Sequence, residues 1–148
     1  SNPAQLDTDT GTYGSIKRNL FDDTTEEFIE SLFEIPANVD SAGTVTFDAV
    51  GYAITAASSG NIALTVYHSM PSGGQSWDIP YSTKVSGDLL TNETQNYLDY
   101  FTWTETVANL GWLASDIVKI KLSRTQPSVN NLTGDWGLVH FRISIPRI

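Results

Sequence analysis

Apolar and polar residues alternate along most of this chain, most cleanly in SDIVKIKLSR, residues 115–124. Val118, Ile120, Leu122 and the stem of Arg124 fall on one side of that stretch, and Lys119, Lys121 and Ser123 on the other. Successive side chains of a strand point to opposite faces, so a period of two specifies a strand with one buried and one solvated face. A chain patterned this way must cover the apolar side of its sheet. With 148 residues it can supply a second sheet from within one domain.

The period recurs on both sides of that stretch. YGSIKRNLF (13–21) reads as a short strand, and AGTVTFDAVGYAITAA (42–57) as a long one in which Gly51 predicts a bend or bulge. SSGN (58–61) predicts a tight turn into IALTVYHS (62–69), making a hairpin with Ile62, Leu64 and Val66 on one face. EEFIESLFEIP (26–36) is ambiguous: Phe28/Leu32 and Ile29/Phe33 suit a helix, while Ile29, Phe33 and Ile35 suit a strand face. The β pattern elsewhere favours the strand, with Phe28, Glu30, Leu32 and Glu34 on its other face.

Residues 70–96 form a polar excursion with at most a short strand near 80–85. Strand patterning returns at 97–110, with Leu98, Tyr100, Thr102 and Thr104 opposite Asp99, Phe101, Trp103 and Glu105. WGLVHFRISIP (136–146) is the last strand, with Val139, Phe141, Ile143 and Ile145 opposite Leu138, His140, Arg142 and Ser144. Seven to eight strands with evenly spaced turn signals predict an all-β fold, an antiparallel two-sheet sandwich. Long strands and crossing loops make it jelly-roll-like rather than immunoglobulin-like. Residues 14–148 are then a single domain, preceded by a polar, unpatterned N-terminal arm at 1–13. Within the arm DTDTG resembles the start of a calcium loop, but the remaining ligands and the bidentate Glu are missing, so no metal site is assigned.

Composition narrows the function classes. Seventeen acids against eight Lys and Arg oppose nucleic-acid binding, because phosphate contacts need clustered cations. No apolar run approaches the roughly 18 residues of a membrane span. Cysteine is absent, which removes disulfides and thiolate metal sites. His68 and His140 lie in predicted strands without a nucleophile elbow or metal-ligand spacing, so the reading is a non-enzyme without a cofactor.

Two patterns point to binding instead. The segment 70–103 holds Trp77, Tyr81, Tyr97, Tyr100, Phe101 and Trp103. Aromatic rings stack on the apolar faces of sugars, and Trp77 and Tyr81, set among Gly, Ser and Pro, are the candidate glycan contacts. Charge is also divided: residues 1–40 carry nine acids and two bases (net −7), and residues 117–148 five bases and one acid (net +4). Glu30 and Glu34 on an early strand match Lys119, Lys121, His140 and Arg142 on late ones. Such a match closes either across strands of one chain or between subunits of an oligomer.

FDDTTEEFIESLFEIPANVDSAGTVTF, LTVYHSM…SWDIPYS, TWTETVANLGWLASDIVKIKLSR and NLTGDWGLVHFRISIP together resemble small β-sandwich structural proteins of tailed-bacteriophage virions, over roughly residues 20–146. The resemblance implies a capsid decoration or cap protein located in the virion. It further implies a homo-oligomer, a trimer by preference, in contact with the major capsid or other virion proteins; it defines no contact residues, and the candidate oligomer or lattice contacts are the charge-matched Glu30, Glu34, Lys119, Lys121, His140 and Arg142. The alternative is a carbohydrate- or receptor-binding module of a tail fibre or spike, taking a glycan at Trp77 and Tyr81.

Overall fold

The computed structural model describes residues 2–12, 14–55, 60–71, 73–92 and 94–148, apart from the side chains of 9–11 and 14–16. In chain order the strands are β1 (Asn2–Pro3), β2 (Gln5–Gly11), β3 (Gly14–Phe21), β4 (Glu27–Glu34), β5 (Thr44–Ala53), β6 (Asn61–Ser69), β7 (Ser82–Val85), β8 (Leu89–Leu90), β9 (Asp99–Thr106), β10 (Ile117–Thr125) and β11 (Trp136–Ser144). They form two sheets. The first has the order β1-β4-β10-β6-β7, with β8 also on β6, and the second the order β2-β3-β11-β5-β9. All pairs are antiparallel except β1 with β4. The fold is thus the expected all-β two-sheet sandwich, with a single helical turn among the described residues, α1 (Val107–Leu110). That turn starts because Thr106 caps the amide of Asn109, and it stops at Gly111, whose φ of 69° glycine adopts freely.

The core lies between the sheets. Val118, Ile120 and Leu122 of β10 face inward beside Ile62, Leu64 and Val66 of β6, opposite Phe47, Trp103 and Trp136 of the second sheet. Each fully buried aliphatic side chain contributes about 1.5–3 kcal/mol. The ambiguous segment 26–36 is a strand, β4, because pairing with β10 satisfies its backbone from Phe28 to Glu34.

Four features depart from the sequence reading. The expected hairpin between 42–57 and 62–69 does not form: β5 belongs to the second sheet and β6 to the first. Residues 56–59, with the first half of the expected SSGN turn, lie outside the described residues; where the description resumes, Asn61 pairs with the 130–132 backbone, and Gly60 lies where a Cβ would come within 2.6 Å of Leu132 Cα. β11 does not alternate strictly, because its register shifts between Leu138 and His140 and turns Leu138 into the core. The irregularity expected at Gly51 therefore sits on the facing strand. Residues 2–11, read as part of an arm, form β1 and β2: β2 pairs with β3 through its backbone, which a polar sequence without apolar alternation does not reveal.

Candidate functional site

Inward packing of β10 turns its lysines out onto the exposed face of the first sheet. Lys121 lies between Glu30 of β4 and Tyr67 of β6, and Lys119 between Leu32 and Ser69. Phe28 of β4 shares this face, and the excursion after β6 returns over it to bring Trp77 and Tyr81 alongside. Four aromatic side chains from three segments thus surround two lysines. The Lys119 ammonium lies 5.2 Å from the Trp77 ring centroid and 4.6 Å from that of Tyr81. That of Lys121 lies 4.2 Å from Tyr67, 5.1 Å from Phe28 and 5.8 Å from Tyr81. These are cation–π distances.

Carboxylates fix the rings. Tyr67 Oη donates to Glu26 Oε1 at 2.9 Å, and Tyr81 Oη to Glu30 Oε1 at 3.2 Å. Lys121 completes an ion pair with Glu26 at 3.7 Å. Burial and the bond to Glu26 push the Tyr67 hydroxyl up to about 12, so it stays a donor at neutral pH. Burial opposes ionisation of Glu26, but its polar and cationic neighbours, the Tyr67 hydroxyl foremost, together outweigh it and hold that carboxyl below its ordinary range. Trp77 is 73% exposed. The result is a platform of apolar ring faces edged by hydrogen-bonding groups of both signs, which is the chemistry that a sugar ring requires.

The second sheet carries a smaller candidate on its own outer face. Tyr100, 74% exposed, borders a cleft of about 250 Å³ with Val50, Thr102, Asp48, His140 and Arg142. Arg142 donates twice to Asp48 Oδ2, at 3.0 and 2.7 Å, and Thr102 donates to Oδ1 at 2.7 Å. The hydroxyl of Thr102 and the Arg142 charge keep Asp48 ionised below its ordinary range.

The residues singled out by sequence therefore separate. Trp77, Tyr81, Glu30, Lys119 and Lys121 come together on the first sheet, while His140 and Arg142 lie on the second. Glu34 is at the exposed end of β4, opposite Ile117. Lys121 is ion-paired within the chain with Glu26, rather than with the Glu30 or Glu34 that the charge division singled out. Arg142 is matched by Asp48, which lies outside the acidic first forty residues. Phe101 and Trp103 are core residues, whereas Tyr97 and Tyr100 are exposed. Sequence reasoning passed over Glu26, Tyr67 and Asp48 as site residues. The signal that was present was Phe28, an aromatic on the polar face of an alternating strand.

A third cluster bears on metal binding. Asp22, Asp23 and Asp135 bring carboxylate oxygens within 4.8 Å of one another. Asp22 already accepts from Thr24 and Thr25, and Asp23 from the amide of Gly134, while the Arg124 guanidinium supplies a cation alongside. Two of the three carboxylates are thus engaged, and no metal role is assigned.

No protein-family model matches the sequence, and no curated protein matches it. Among solved structures the chain is similar to the CBM22-1 xylan-binding domain of Xyn10C from Paenibacillus barcinonensis, with a TM-score of 0.51 and 8% identity over 98% of this chain and 83% of that one. At that identity the likeness establishes the fold, a two-sheet β-sandwich of the jelly-roll kind. It carries no sign of phage origin or of a virion role.

Proposed function

We propose that this domain is a non-catalytic carbohydrate-binding module whose ligand lies along the outer face of the first sheet. The observation that carries the reading is the gathering of Phe28, Tyr67, Tyr81 and Trp77 around Lys119 and Lys121, with Glu26 and Glu30 holding two of the rings. The xylan-binding function of the solved domain with the same fold supports it, although fold alone does not transmit a ligand. The capsid-decoration role has no support in the fold or the comparisons. Placement in a virion and symmetric assembly stand as expectations of the phage resemblance, and glycan binding requires neither.

A glycan microarray followed by titration calorimetry on the best ligand tests the proposal. Trp77→Ala removes the most exposed ring of the platform and is expected to weaken binding about tenfold, equivalent to about 1.4 kcal/mol. Tyr100→Ala is expected to leave binding unchanged. If only Tyr100→Ala weakens it, the ligand belongs to the cleft on the second sheet.

A further inference from the structure

The two lysines of the platform are not equivalent. Lys121 has Glu26 as its counter-ion. Lys119 has no carboxylate within ion-pair distance among the described residues; it donates to the carbonyl oxygen of Trp77 at 3.4 Å and also interacts with the Tyr81 hydroxyl, both neutral partners. Glu30 and Glu34 lie two positions to either side of it in the strand register; Glu30 is engaged by the Tyr81 hydroxyl, and neither forms an ion pair with Lys119. An ammonium carries three donors, so Lys119 retains donor capacity between two aromatic rings that bear no charge of their own. Beneath it Ser69, its cross-strand neighbour, has a buried hydroxyl without a partner among the described residues. A cation left uncompensated between stacking surfaces is complementary to a ligand that is a flat ring at one place and an anion at the next.

We propose that the platform selects glycans bearing uronic acids, the Lys119 ammonium pairing with the sugar carboxylate while Trp77 and Tyr81 hold the ring. This rests on the glycan-binding reading above and names the sugar class for the same face. The chain's net charge of −9 opposes an anionic ligand at long range. Screening at physiological salt confines that repulsion to about 8 Å, and at contact the nearest charge is Lys119. Charge-assisted hydrogen bonds are about twice as strong as neutral ones, so the carboxylate accounts for a clear difference in affinity.

The test uses affinity electrophoresis in gels containing glucuronoxylan, polygalacturonate or alginate, each run beside the same polymer after chemical reduction of its carboxyl groups to alcohols. The native protein is expected to bind at least one acidic polymer about tenfold more tightly than its reduced form. Lys119→Gln is expected to abolish that difference while still binding the reduced polymer, and Lys119→Arg to restore it. Equal retardation by acidic and reduced forms, or a preference that survives Lys119→Gln, overturns the uronic-acid inference and leaves glycan binding standing. Retardation by none of the six gels, together with a blank neutral-glycan array, overturns both.

Discussion

Replacing Gly51 with alanine probes the contact that sets the spacing of the second sheet. A Cβ there would lie 2.4 Å from Cζ2 of Trp136, 2.5 Å from its Cη2 and 2.5 Å from the carbonyl oxygen of Gly137. Two of these atoms belong to a fully buried indole and the third to backbone, so none can swing aside. Trp136 is further held by its Nε1–H bond to Asp99, at 3.0 Å, and by stacking on Phe101. Overpacking of this kind costs about 1–3 kcal/mol. Loss of glycine's freedom in the unfolded chain offsets about 0.4–1 kcal/mol of it. The net expectation is about 1.3 kcal/mol, which lowers the midpoint of thermal unfolding by roughly 3–5 °C for a chain of this length. Circular dichroism melts of Gly51→Ala and Gly73→Ala provide the comparison. Nothing lies within 4 Å of a Cβ at position 73, so that variant is expected within about 0.5 kcal/mol of the parent. Trp136→Phe deletes Cζ2 and Cη2 but leaves the Gly137 carbonyl, so the cost of Gly51→Ala should shrink in that background without vanishing. An unchanged midpoint in Gly51→Ala, or an undiminished cost in the Trp136→Phe background, would refute the steric account.

Two further outcomes follow from the charged groups. Arg124, 3% exposed, donates to the carbonyls of Phe21, Gly134 and Leu132 and to Asn131 Oδ1. Arg124→Met should cost roughly 3 kcal/mol or more by leaving those acceptors unpaired, and an unmoved urea midpoint would contradict this. Glu105 is held down to about 2 by hydrogen bonds from Lys84 and Asn109, and its bridge to Lys84 at 2.9 Å links β9 of one sheet to β7 of the other. Because its folded pKa is depressed, its contribution is complete above its unfolded value of 4.5 and is lost as pH falls from there toward 2. Glu105→Gln should therefore flatten the loss of stability across that window, measured by denaturant unfolding at stepped pH. An identical slope in the variant would exclude the bridge.

The alternation at 115–124 specified β10 without help from the rest of the fold. Val118, Ile120 and Leu122 are buried and the lysines face out because a period of two leaves a strand no other arrangement that buries the apolar set. The same local logic made Ile62, Leu64 and Val66 a core face and produced the two-sheet sandwich. It also placed Trp77 and Tyr81 outside the core, since a segment of Gly, Ser and Pro buries little.

Which strands become neighbours is a different matter. The chain leaving β5 could have turned back as a hairpin; it crosses to the other sheet because the 130–132 backbone offers Asn61 its partners, about seventy residues away in sequence. The side chain of Leu138 changed faces through a register shift that only pairing with β5 creates. The role of Gly51 likewise depends on where the Trp136 ring lies. The aromatic platform is the clearest case. Phe28, Tyr67, Tyr81, Lys119 and Lys121 each follow the local alternation or turn signal, but their assembly around two ammonium groups depends on β4, β10 and β6 lying side by side. Sequence by itself determined what each strand buries and what it shows, because that is decided by near neighbours along the chain. Tertiary structure alone decided which exposed residues meet, because that depends on long-range pairing, which the backbone ladders and the buried face set far more than the side chains on the outer face do.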